Sequence, residues 1–151
     1  MTVGVSPMQS DLLKGTASFC DGRVSEASVW SMLHRECHRL FPDELFAGLF
    51  AGTGRRSVPP MIVAVTMVLQ RLFGLSDREA VEAFCFDARW KYACGGLDFD
   101  YPGFAHTVLV DMRARLARVG VAAADLRGDG GSGPLGGVGR REAGAGFHPV
   151  V

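Results

Sequence analysis

At 151 residues, of which 48% are hydrophobic, the chain is long enough for one domain with a sizeable core. Its 16 basic and 16 acidic side chains cancel, which excludes recognition of nucleic acid or an anionic membrane through bulk charge and leaves any such contact to a local patch. Cys20, Cys37, Cys85 and Cys94 form no CxxC pair, and the opening MTVGVSPMQSDLLKG lacks a basic segment followed by a continuous apolar one, so reduced thiols in a cytoplasmic protein with no membrane partner are expected.

Composition divides the chain into a polar leader at residues 1–23, a helical body at 24–118 and a Gly/Ala/Arg-rich tail at 119–151. The leader is predicted to be flexible. Ser25 stands as N-cap of a first helix that ends near Leu40, with Ala27, Trp30, Met32, Leu33 and Cys37 spaced for one face. Pro42 opens a second, short helix, because Asp43 and Glu44 complement a helix N-terminus and Leu45, Phe46, Leu49 and Phe50 give it an apolar side. Gly52, Thr53 and Gly54 end it. Pro59 and Pro60 start a third helix, apolar nearly all round from Met61 to Phe73, as a central and deeply buried helix is. Its most apolar run, Met61 to Leu69, is about half of the roughly 20 residues that cross a bilayer.

Gly74 supplies a stop for that helix, and Ser76-Asp77-Arg78-Glu79 is a capping box that starts a fourth helix running to Phe86. Two helices joined by Gly74-Leu75-Ser76 make a tight helical hairpin or a helix-turn-helix pair. Asp87 to Ala93 forms a further short helix with Trp90 and Tyr92, closed by Gly95 and Gly96, and a last helix covers about Phe104 to Arg118. No period-two alternation occurs, so the fold class is all-α, a compact multi-helix domain. Ten of the 20 glycines fall between Gly120 and Val151, where only Leu126, Leu135 and Phe147 are large and not β-branched. A tail so composed is predicted to be disordered.

His34, Cys37 and His38 lie within little more than one helical turn, but three ligands on one helix do not close a tetrahedral site. Asp98 and Asp100 flank Phe99 in a loop, which reads as a solvated turn, since two-metal chemistry draws its carboxylates from separate parts of a scaffold. No GxSxG, HExxH, Walker A or dinucleotide fingerprint precedes the tail. The sequence therefore assigns no catalytic residue, metal or cofactor. Between Thr53 and Cys94 there are six basic and four acidic residues, a surplus too small to establish DNA binding alone. The candidate DNA-contacting cations are Arg71, Arg78, Arg89 and Lys91, close enough in sequence to form one patch around the helix turn.

From Phe41 onward, four features occur in order: FPDELFAGLF, SVPPMIVAVTMVLQ, GLSDREAVEAF and FDARWKYACG. A segment from Phe104 through His106, Leu109 and Arg113 to Arg115-Leu116 follows. Together they resemble the transposase InsH N-terminal domain family, over about Phe41 to Leu116. The resemblance implies participation in DNA transposition, with this region binding the element's ends or assembling the transposase. In that family catalysis lies further along, in an RNase-H-like domain where separated acidic residues hold two divalent ions. Here Arg118 is followed by the Gly/Ala/Arg-rich segment, which reads as a shifted frame of a truncated, GC-rich gene, so a non-catalytic fragment is expected. Its expected partner is element-end DNA, held weakly. Alternatives are a helical interaction module that binds intact transposase or a second copy of itself, and a remnant without function.

Overall fold

The computed structural model describes residues 3–5, 15–50 and 56–127, with side chains to residue 120. Among the described residues seven α-helices follow one another: α1 Thr16–Cys20, α2 Val29–Leu40, α3 Asp43–Phe46, α4 Pro60–Phe73, α5 Asp77–Phe86, α6 Ala88–Ala93 and α7 Thr107–Arg127. A 3-10 turn, Ala47–Leu49, extends α3. Among the described residues there is no strand, only an isolated antiparallel bridge between Gly15 and Asp98. No single helix among them is long and apolar enough to cross a membrane.

The core gathers on α4. Met61, Ile62, Val65 and Leu69 are fully buried against Trp30, Leu33 and Cys37 of α2, Phe84 of α5, Trp90 of α6, and Leu109 and Met112 of α7. Pro60 opens α4 at a position that needs no hydrogen-bond donor. Gly74 closes it in the left-handed region, at φ 64°, and the Leu75 N–H returns to the Gln70 carbonyl at 3.0 Å. Central as it is, α4 is not covered all round. Ala64, Met67 and Val68 are half-buried and Leu72 exposed, along an apolar groove of about 500 Å³ between α3, α4 and α7, while Phe73 is exposed on one face and stacked on Trp30 of α2 on the other.

Three sequence expectations shift. The cap of α2 is Ser28, not Ser25: its side chain accepts from the Ser31 N–H at 3.3 Å. Ser25 instead offers its carbonyl to Ser28 and Ser31. Starting the helix at Val29 turns Trp30, Leu33 and Cys37 inward and leaves Ala27 and Met32 exposed. Within the segment read as a flexible leader, Thr16 and Cys20 of α1 are buried. Thr16 donates its N–H and its hydroxyl to the Leu97 carbonyl, 81 residues away, and Gly4 is buried with its N–H on Ser57 Oγ at 3.0 Å. Finally, α7 starts at Thr107 and runs nine residues past Arg118. Val121-Ala-Ala-Ala-Asp-Leu-Arg127 is rich in good helix formers, which outweigh the roughly 1 kcal/mol cost of Gly120. The rest of the predicted disordered tail, residues 128–151, lies outside the described residues.

Candidate nucleic-acid interface

The α4–α5 turn is the most strongly specified local feature. Ser76 accepts from the Glu79 N–H at 3.3 Å while Glu79 accepts from the Ser76 N–H at 2.8 Å, so the capping box is complete. Across Gly74-Leu75-Ser76 the chain bends by 113° between α4 and α5. A clamp from α7 fixes this bend. Arg113 reaches Asp77 with two hydrogen bonds, at 2.8 and 2.6 Å, and Gln70 donates to the same carboxylate at 2.6 Å. These bonds to Arg113 and Gln70 hold the Asp77 carboxyl down to a pKa of about 2.

The four cations expected to form one patch separate into three kinds. Arg71, in the last turn of α4, and Arg78, in the first turn of α5, are exposed and have no hydrogen-bond or ion-pair partner among the described residues. Arg89 is exposed but held by Asp87 through a forked pair, Nε to Oδ1 at 3.0 Å and Nη2 to Oδ2 at 2.7 Å, with its guanidinium 4.9 Å from the Trp30 ring. That pair raises the Arg89 pKa. Lys91 is only 4% exposed. Its ammonium donates to the Phe99 carbonyl and sits over the Phe84 ring. The loop after α6 folds back over the helix and supplies this carbonyl, so Lys91 does not join a surface patch. Acidic groups further dilute the surface: Glu79 and Glu82 are exposed on α5 beside Arg78.

Sequence reasoning missed the inward use of α7's cations. Arg113 clamps the turn, and Arg115 donates to the Leu49 carbonyl at 2.8 Å with its guanidinium 4.8 Å from the Phe50 ring. No local signal marks them, since their partners lie 36 and 66 residues away. Arg115 also walls a cavity of about 420 Å³ with Phe50, Arg56, Ser57, Phe104 and Asp111.

The other candidates disperse. His34 Nδ1 lies 2.8 Å from the Tyr92 carbonyl, with its ring stacked on Tyr92 at 4.1 Å. Cys37 is buried, and burial pushes its thiol pKa up, while His38 is exposed. Asp100 is exposed, whereas Asp98 Oδ1 is shielded and finds no hydrogen-bond partner among the described residues. Among those residues no three His, Cys, Asp or Glu side chains are placed to hold a metal ion. All four cysteines are free thiols.

A family model described as "Transposase domain (DUF772)" matches residues 22–115, more than half of the chain. No curated protein and no solved structure matches.

Proposed function

Because the chain belongs to the family of the transposase domain DUF772, we propose that its helical body serves DNA transposition as a non-catalytic module that holds element-end DNA weakly through a helix-turn-helix pair. The observation that carries this reading is the geometry of α4 and α5. A bend of 113° across three residues falls in the range of about 90–120° found where the second helix of such a pair enters a DNA groove. Arg71 and Arg78 stand on either side of the turn, where unpaired guanidiniums meet phosphates. Arg89 is the weaker contact, because it must first leave Asp87. The reading gives no bond-breaking step to residues 22–115.

Two phosphate contacts correspond to a slope of log K against log salt near −2, from about 0.9 per neutralised phosphate. Four contacts would give a slope near −3.6. A salt titration of binding to a terminal-inverted-repeat duplex, followed by fluorescence anisotropy, reads this number. Arg71→Ala and Arg78→Ala are each expected to weaken binding and to reduce the slope by about 1. Unchanged affinity in both variants, or no binding at low salt, sinks the proposal.

A further inference from the structure

The outer face of α5 is narrow and mixed in chemistry. Ala80 and Phe84 are buried in the core and Val81, Ala83 and Cys85 are half-buried, which leaves Arg78, Glu79, Glu82 and Phe86 turned to solvent. Glu79 is committed to the cap, its carboxylate accepting from the Ser76 N–H at 2.8 Å. Arg78, Glu82 and Phe86 follow at intervals of four residues and so stand one above another on a single stripe. Phe86 is 85% exposed, more than any other large apolar side chain among the described residues. Glu82 has no hydrogen-bond or ion-pair partner among those residues. The two border one shallow hollow, with Arg89 on its rim.

A carboxylate on a helix that faces DNA is repelled by the phosphates unless it accepts a hydrogen bond from a base amine. In the major groove cytosine offers its N4 amine with no acceptor beside it. Adenine also has an amine, but the neighbouring N7 acceptor repels a carboxylate. An exposed aromatic ring finds its apolar counterpart in the C5 methyl of thymine. Arg78 in the first turn of α5 and Arg89 just past its end bracket Glu82 and Phe86 along the chain, so cations for phosphates stand at both ends of the stripe with the base-directed groups between them. One helical turn separates Glu82 from Phe86, about 6 Å at 1.5 Å per residue, or roughly two base steps of 3.4 Å.

We propose that Glu82 and Phe86 are the residues by which α5 selects base sequence, Glu82 accepting from the N4 amine of a cytosine and Phe86 packing on the methyl of a nearby thymine. This rests on the reading of α5 as the helix that enters the groove. Arg78 and Arg89 then position the helix without choosing the sequence. With a net charge of zero, the chain has little sequence-independent attraction to DNA, so these two contacts weigh heavily in what it holds.

The test is selection of bound duplexes by the full chain from a pool of randomised double-stranded DNA. The expected result is an enriched motif with a cytosine and a thymine within about two base steps. Glu82→Gln should move the preference from cytosine to adenine, whose N6 and N7 a side-chain amide matches, and change the ratio of the two by about tenfold or more. Phe86→Ala should relax the thymine position and leave the cytosine. Arg78→Ala should weaken all sequences alike and leave the motif as it is. Glu82 and Phe86 are exposed, so thermal unfolding of their variants should match the parent. A cytosine preference kept by Glu82→Gln overturns the role of Glu82, and a thymine preference kept by Phe86→Ala overturns that of Phe86. Binding of the pool with no enriched motif overturns this inference and leaves the phosphate contacts of Arg71 and Arg78 standing, whereas no binding at low salt overturns both.

Discussion

The turn between α4 and α5 and the apolar groove between α3, α4 and α7 adjoin each other along Met67 and Arg71 of one helix, yet treat their groups in opposite ways. At the turn, polar atoms are satisfied within the chain: Ser76 and Glu79 cap each other, and Gln70 and Arg113 share the Asp77 carboxylate. At the groove, apolar atoms are left uncovered: Leu45, Leu72 and Leu116 border a concavity with nothing over it among the described residues. Satisfied polar groups fix an angle, which suits a device that presents a helix to a rigid ligand. Uncovered apolar groups carry the driving force for association.

The largest effect that tests this contrast comes from placing a carboxylate at two positions along α4, one in its buried middle and one in its exposed last turn. Val65 is fully buried and points into the core, while Leu72 is 59% exposed at the groove. Val65→Asp should abolish cooperative unfolding, since an unpaired buried charge costs several kcal/mol, on the order of the whole stability of a small domain. Leu72→Asp should shift stability by less than about 0.5 kcal/mol in dilute solution. Urea titrations by circular dichroism measure both. A folded Val65→Asp variant would remove α4 from the centre of the core.

The turn was legible in the sequence because its chemistry is local. Gly74, Ser76 and Glu79 act within a few residues of one another, and the apolar period of α4 needs only its own 14 residues. The groove and the fate of the cations were not legible. Lys91 and Arg89 look alike in sequence, yet a carbonyl from the Phe99 loop draws one inward and Trp30 with Asp87 holds the other at the surface. Arg113 reads as part of a polar helix face until α7 is laid beside Asp77. The length of α7 is hidden in the sequence because Gly120 and the glycines past Arg127 dominate the composition of the tail, whereas the Ala-rich stretch between them continues the helix.

Lys91 gives the next largest effect and sharpens the division among the cations. Its four-carbon stem is buried, so Lys91→Ala should cost about 2 kcal/mol of stability, from roughly 0.8 kcal/mol per methylene removed from contact. DNA affinity at low salt should not change. Arg78→Ala should do the reverse, weakening DNA binding while leaving the denaturation midpoint in place. If Lys91→Ala weakened binding in a fully folded protein, the ammonium would have to leave its seat on the Phe99 carbonyl to reach a phosphate.

The smallest expected effect concerns the clamp on the turn. Arg113 and Gln70 hold the Asp77 pKa at about 2, below the ordinary value of 3.8, so the folded state favours the carboxylate. A depressed pKa adds stability that is complete above about pH 4 and is lost as pH falls through the folded value near 2. The Arg113 side chain is 43% exposed, so water and salt screen the pair, and its contribution is about 1 kcal/mol rather than the full value of the shift. Asp77→Asn should therefore lower stability by about that amount at pH 7 and make the curve flatter between pH 4 and 2. The amide keeps the shape of the carboxylate but not its charge, so α5 itself should persist. If the clamp sets the 113° bend, Asp77→Asn should also weaken binding to element-end DNA more than a neutral change on α5 away from the turn. Equal pH profiles for the parent and Asp77→Asn would show that the Arg113 bond contributes nothing to the fold, and the rigidity of the turn would then rest on Gly74 and the capping box alone.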